Sequence, residues 1–281
     1  SPTGNAAMTM LKPLVDFIDA HQRLLVLTGA GCSASSGIPT YRDHAGQWQR
    51  NTPIQHADFV RFDASRKRYW ARSLAGWPAV SQAQPNAAHI TLASMEGRGQ
   101  IPLLVTQNVD RLHQRAGHQQ VIDLHGRLDQ VMCLACDARS SRDVMQQRLL
   151  TLNSIDVPTT TRLAPDGDAD VEEQLTQTLQ IPTCEACGGT LKPDVVFFGG
   201  AVPKNTVESI YSALTQVDGM LVVGSSLTVF SGFRFCREAH KIGLPIAAIN
   251  QGKTRADDLF SLKIEADCVS TLNELAQLDQ Y

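Results

Sequence analysis

The stretch Thr28-Gly29-Ala30-Gly31-Cys32-Ser33-Ala34-Ser35-Ser36-Gly37-Ile38-Pro39-Thr40-Tyr41-Arg42 decides the fold. The apolar run Leu24-Leu25-Val26-Leu27 enters it and suits a strand buried on both faces. Gly29 and Gly31 then allow a tight turn in which backbone approaches a ligand closely. Ser33, Ser35 and Ser36 read as the start of a helix, whose free N–H groups would favour an anion. A strand, a glycine turn and a helix start together form a phosphate cradle, although the same pattern also serves as a plain tight turn.

Strands and helices alternate outward from this stretch. Leu11 to Ala20 has helical periodicity, Tyr41 to Trp48 reads as a flap, and residues 56–76 read as helix with a break at Trp77-Pro78. Further buried strands are expected at Ile101–Thr106, Val121–Leu124, Gly219–Val223, Pro245–Ile249 and Ile264–Cys268, with alternation resuming at Val195-Val196-Phe197-Phe198 after a gap. Several of these end in polar clusters: Gln107-Asn108-Val109-Asp110, His125-Gly126, Gly224-Ser225-Ser226 and Asn250-Gln251-Gly252. The pattern predicts an α/β, Rossmann-like, doubly wound parallel sheet that collects ligands at its strand ends. Residues 11–130 and 193–281 would form this domain, and 131–192 would be a small inserted module.

The chain of 281 residues, 43% hydrophobic and 19% charged, has the composition of a globular protein. Its net charge of −3 gives no electrostatic case for nucleic acid or anionic lipid, and no apolar run approaches a membrane span. A monomer is expected. Ser1–Met10 lacks the features of a signal or transit peptide, so the cytoplasm is the expected location, with the mitochondrial matrix as the alternative if a targeting segment has been removed.

Cysteines carry the sharpest chemical signal. Cys133-x-x-Cys136 and Cys184-x-x-Cys187 have the spacing of a zinc ribbon, and four thiolates fill all positions of a tetrahedral Zn²⁺. The site reads as closed and structural. Because 47 residues separate Cys136 from Cys184, more than a compact ribbon needs, an irregular insertion with a short helix near Val171–Leu179 is expected. Gly29-x-Gly31-x-x-Ala34 matches a dehydrogenase fingerprint only loosely. No strand follows closely enough to supply that motif's acidic residue, so hydride transfer is not indicated.

Read together, Gly29-Ala30-Gly31-x-Ser33-x-x-Ser36-Gly37-Ile38-Pro39-x-Tyr41-Arg42, Thr106-Gln107-Asn108-Val109-Asp110, Leu124-His125-Gly126, the four cysteines, Lys192-Pro193-Asp194-Val195-Val196-Phe197-Phe198-Gly199, Gly224-Ser225-Ser226-Leu227 and Asn250-x-Gly252 resemble the sirtuins. These are NAD-dependent protein lysine deacylases. The likeness spans nearly everything after Leu11. Arg68–Arg72, Gly76-Trp77-Pro78 and Leu163–Asp168 are closest to the class II branch, which includes mitochondrial sirtuin four and bacterial relatives.

The resemblance implies NAD as a consumed co-substrate. His125 matches the catalytic base, and Asn108 and Asp110 match the nicotinamide pocket. Gly29, Ala30, Gly31, Ser33, Pro39, Tyr41, Arg42, Gln107, Gly224, Ser225, Ser226, Asn250 and Gly252 fall where NAD contacts lie. Cys268 matches an adenine neighbour or is simply a small buried hydrophobe. Cys32 reads as an apolar loop residue. Val195, Val196 and Phe197 would pair with the substrate peptide by strand addition. Tyr69 and Arg72, one helical turn apart, resemble a pair that binds acidic acyl groups, or else Arg72 is a solvated charge. The implied reaction removes acyl groups, acidic or longer than acetyl, from lysine, releasing nicotinamide and acyl-ADP-ribose. Protein ADP-ribosyl transfer at the same site, or a non-catalytic NAD sensor, is the alternative.

Overall fold

The computed structural model describes residues 2–38, 53–155 and 173–278, with side chains from Leu11 onward. Pro39, Tyr41 and Arg42 of the flap, and the 156–172 part of the insertion with Leu163–Asp168, lie outside the described residues.

Strands β1 (Leu24–Thr28), β2 (Leu103–Thr106), β3 (Val121–Asp123), β7 (Gly219–Val223), β8 (Ile246–Ile249) and β9 (Leu262–Ile264) form one parallel sheet in the order β3-β2-β1-β7-β8-β9. All five residues of β1 are buried, because layers cover both faces. Leu24 and Val26 pack with Leu14 and Ile18 of α1 (Pro2–Ala20), Leu92 of α4 (Ala87–Gly97) and Leu272 of α10 (Cys268–Ala276). Leu25 and Leu27 pack on the other side, with Ile210 of α8 (Lys204–Leu214) and Phe235 and Ala239 of α9 (Phe230–Lys241). The strand order reverses beside β1, and in such sheets the ligand crevice opens at that point.

The second sheet is antiparallel, β5 (Arg139–Ser141), β4 (Gly126–Cys133), β6 (Leu191–Val195). Here one expectation is corrected. The Val195–Phe198 segment does not resume the parallel sheet. Its first residue ends β6, and the following residues run as an edge, with Val196 N–H donating to His125 O at 2.8 Å and Phe198 bridging to Gln55. The strands of this sheet therefore extend on both sides of the 131–192 interval.

Trp77-Pro78 does not break a helix either. After α2 (His56–Arg61), α3 runs from Asp63 to Gln82 straight through Pro78. A proline lacks the N–H that would bond the carbonyl four residues back, here Leu74. Gln146, on α6 (Arg142–Leu152), donates its Nε2 to Leu74 O at 3.0 Å and fills that vacancy. Two further expectations shift. The serines after Gly31 form two short 3₁₀ turns, Ala30–Cys32 and Ala34–Ser36, instead of an α-helix, so no helix dipole acts there. Cys268 opens α10 and is not part of the last strand.

Candidate active site

The ends of β1, β2 and β7 meet through their backbones. Gly29 N–H donates to Val223 O (3.1 Å), Gly31 N–H to Gly224 O (2.8 Å) and Gln107 N–H to Thr28 O (2.9 Å). A Cβ at Gly29 would stand 2.7 Å from the Ser225 Cβ, and one at Gly31 2.9 Å from the Gly224 Cα. The glycines are thus required by the close approach of two loops, which brings Ala30 and Ser33 over the end of β7.

Ser33 links this loop to the next one. Its hydroxyl donates to Asp110 Oδ2 at 2.6 Å, and Asn108 Nδ2 reaches both Gly29 O (2.9 Å) and Ser33 Oγ (3.3 Å). Asp110 is buried, and that burial pushes its carboxyl up from its ordinary value while the Ser33 hydrogen bond pulls it back. The Leu112 N–H bonds its other oxygen at 3.0 Å. Asn108 and Asp110 are therefore held rigidly against the glycine loop.

His125, just past β3, is held at both ring nitrogens. Nδ1 lies 3.1 Å from Gln107 O and Nε2 lies 2.7 Å from Ser231 Oγ. A carbonyl only accepts, so Nδ1 carries the proton of the neutral ring and Nε2 keeps its lone pair, accepting from the serine. Burial lowers the imidazole's affinity for protons, and the Gln107 carbonyl raises it. Gln107 also accepts from Ser225 Oγ at 2.6 Å through Oε1, and its amide lies against Gly232, where a Cβ would have to displace it. Ser231 was not expected from the sequence. It lies 106 positions from His125, in no recognisable spacing, and only the docking of α9 brings it in.

The remaining expected residues divide between the site and its rims. Ser225 is buried, and its hydroxyl also accepts from Leu227 N–H (3.1 Å). Ser226 is exposed and bonds Thr228 at 2.9 Å. Asn250 is buried and turns its Nδ2 toward Gln251 O (3.2 Å) and Gly252 O (3.5 Å). Cys268 lies behind Gly224, whose Cβ position would be 3.0 Å from its sulfur. Cys32 is fully buried, and its hydrogen bond with Cys268, together with that burial, pushes its thiol well up.

Tyr69 is buried, with its ring edge-on to Phe59 (5.8 Å) and Phe197 (5.2 Å), so α3 backs the Val195–Phe197 edge; Arg72 is half-buried. Lys192 also supports that edge. Its buried ammonium lies 4.6 Å from the Phe197 ring centre, donates to Pro193 O and Val195 O, and is pulled down to about 8 by burial.

The sulfurs of Cys133, Cys136, Cys184 and Cys187 all lie within 4.8 Å of one another. The N–H groups of Ala135 and Cys136 point at Cys133 Sγ (both 3.4 Å), and Gly189 N–H at Cys187 Sγ (3.3 Å). A Cβ at Gly189 would crowd Cys133 Sγ at 2.8 Å. Four convergent thiols, with backbone donors stabilising the sulfur charge, fit one tetrahedral Zn²⁺. Cys133 ends β4 and Gly126 begins it, so eight residues of strand, roughly 25 Å, separate this centre from His125. At that distance a bound Zn²⁺ would act as a structural clamp.

The pattern of the Sir2 family matches residues 29–231. The NAD-dependent protein deacetylase 2 of Bradyrhizobium diazoefficiens is 54% identical over 259 residues, covering 92% of this chain and 95% of the relative. The mitochondrial NAD-dependent protein lipoamidase sirtuin-4 of Bos taurus is 48% identical over 261 residues, covering 92% and 83%. A solved Sir2 structure with a p53 peptide and NAD⁺ is 28% identical and superposes with a TM-score of 0.76, covering 95% of this chain and 97% of that one. With the glycine loop, the Asn108–Asp110 loop, His125 and the four thiols gathered as described, the chain belongs to the Sir2 family.

Proposed function

We propose that the protein is an NAD-dependent protein lysine deacylase in which His125 Nε2 is the general base. The observation that carries this reading is the fixed tautomer. Gln107 O holds the proton on Nδ1, so the Nε2 lone pair is unprotonated and faces the Ser231 hydroxyl, on the side where the β1, β2 and β7 loops converge. An imidazole kept neutral by its burial in that position can take a proton from a ribose hydroxyl.

When bound, NAD supplies the ribose carbon that the acyl oxygen attacks as nicotinamide leaves. This chain's part is to hold the dinucleotide and orient the base. The tight packing of Gly29 and Gly31 brings loop backbone to the cleft. Asn108 and Asp110, anchored on Ser33, border the place for nicotinamide, while Ser225, Ser226, Asn250 and Gly252 border that for ribose and phosphate. Val195, Val196 and Phe197 present the edge for the substrate peptide, with Lys192 and Tyr69 supporting it from behind. Acyl chains longer than acetyl are the proposed substrates, in keeping with the lipoamidase among the relatives. Arg72, half-buried one turn beyond Tyr69, is the group proposed to meet an acidic acyl.

The test is formation of the free-lysine peptide from acetyl-, lipoyl- and glutaryl-lysine peptides with NAD. Deacylation is expected with at least one of them and is expected to vanish in His125→Ala. Deacylation that persists in that variant would refute the assigned base.

A further inference from the structure

Three arginines gather around one exposed phenylalanine beside the site. Arg234 and Arg237, one and two turns along α9, place their guanidinium carbons 4.9 and 5.0 Å from the Phe230 ring centre. Arg255, from the loop after β8, lies 5.8 Å from the same ring and 4.4 Å from that of Phe233. None of the three pairs with a carboxylate among the described residues, although Glu238 is next to Arg237 in sequence. Arg234 Nε is buried without a hydrogen-bond partner, and Arg255 gives a single side-chain N–H to Thr228 O at 3.3 Å. In a chain of net charge −3, three cations collected on two rings are held in place but not neutralised. Planar, oriented guanidinium groups without a carboxylate partner are suited to receive carboxylates in two-pronged contacts.

The position of the patch identifies the source of those carboxylates. Ser231, adjacent to Phe230, bonds the His125 ring, while His125 O accepts from Val196 on the edge proposed for the peptide. On the deacylase reading, a lysine side chain reaching His125 would enter between these two elements. The residues flanking that lysine would then pass over Val229 and Phe230, both of them exposed.

We propose that Arg234, Arg237 and Arg255 form a docking patch for aspartate and glutamate residues flanking the acyl-lysine of the protein substrate. The patch thereby selects acidic sequence contexts. This rests on the deacylase reading, and it is tested separately from it by binding.

The experiment measures fluorescence anisotropy of labelled acyl-lysine peptides on the whole protein without NAD, with flanks of Asp/Glu, Ser or Lys. Exposed pairs at Arg237 and Arg255, with a half-buried one at Arg234, predict about three- to tenfold tighter binding of the acidic peptide than the serine one, and the gain shrinks as salt rises. Arg237→Glu, a change at an exposed position, is expected to erase or invert the preference, as is the pair Arg234→Gln with Arg255→Gln. Equal affinity for all three peptides would overturn the proposal, and so would a preference that survives both variants. An increased KM for NAD with unchanged peptide binding would overturn it too, because the patch would then serve the dinucleotide. Failure of the deacylase reading would appear differently, as no deacylated peptide, or deacylation indifferent to His125→Ala, while the anisotropy still separates the peptides.

Discussion

The Ser231 hydroxyl caps His125 Nε2 at 2.7 Å, so the helix α9 that carries Arg234 and Arg237 of the patch also fixes the lone pair of the proposed base. Ser231 is a positioning residue, acting through the imidazole.

Ser231→Ala is expected to leave the Nδ1 proton in place and move the Nε2 nitrogen resonance of the ligand-free protein toward that of an unbonded imidazole nitrogen. Ser231→Thr should restore it. Turnover in the alanine variant is expected to fall about three- to tenfold, the value of one neutral hydrogen bond. Exchange of labelled nicotinamide into NAD, which precedes the base's step, should change less. An unaltered Nε2 resonance in Ser231→Ala would remove the serine from this role.

Zinc removal should act on folding and reach chemistry only through it. Cys133 and Cys184 share a core with Trp70, Trp77, Met145 and Leu149. Cys184→Ser, or treatment with a strong chelator, is expected to lose the metal, lower the thermal midpoint and diminish the near-ultraviolet tryptophan signal, because metal binding in such sites is folding free energy. Metal content and circular dichroism measured together check this.

Pro78 and Gln146 should be thermodynamically coupled. Gln146→Leu leaves the Leu74 carbonyl buried without a donor and is expected to cost about 1–3 kcal/mol in urea unfolding. In a Pro78→Ala background the alanine N–H supplies the helical bond, and the same substitution should cost markedly less. Equal costs in the two backgrounds would show that the side chain does not serve this carbonyl.

Three buried histidines should make the fold acid-sensitive. His89, His113 and His118 follow one another with ring centres 4.9 and 6.2 Å apart. Burial lowers the proton affinity of all three, for His89 from 6.5 to about 4, while Glu96 beside His118 partly opposes the shift there. The unfolded chain binds protons that the folded one refuses, so their contribution is complete above pH 6.5 and is lost as pH falls toward about 4. Unfolding free energy measured across that window should decline with acid. His89→Gln, which can still cap Asn86 N–H as His89 Nδ1 does at 3.0 Å, should flatten the decline.

Local spacing made much of the molecule legible. Leu24–Leu27 reads as a two-sided buried strand because all four positions are apolar, and both faces are indeed covered. The Cys-x-x-Cys pairs converge because a knuckle of that length can turn both sulfurs inward. Where reading went astray, a distant partner decided. A proline ends a helix unless another chain segment feeds the freed carbonyl, and Gln146 does so from 68 positions beyond Pro78. Val195–Phe198 has the composition of a central strand, yet Lys192 and Tyr69 hold it at an edge. The serines after Gly31 lie in 3₁₀ turns, because the loop packs against Gly224 before a helix can begin.

The sequence by itself determined the doubly wound class, the four-thiol centre, the family and the identity of His125 as the base to examine. Each depends on residue types at short, fixed intervals, which local backbone geometry turns directly into shape. The tautomer of His125, the support of the peptide edge and the gathering of Arg234, Arg237 and Arg255 were decided only by tertiary structure. These contacts join elements far apart in the chain and carry no period. The first exists because α9 brings Ser231 to His125, and the second because Lys192, and Tyr69 of α3, pack on Phe197. The third exists because the loop after β8 meets α9. No local pattern specifies any of these.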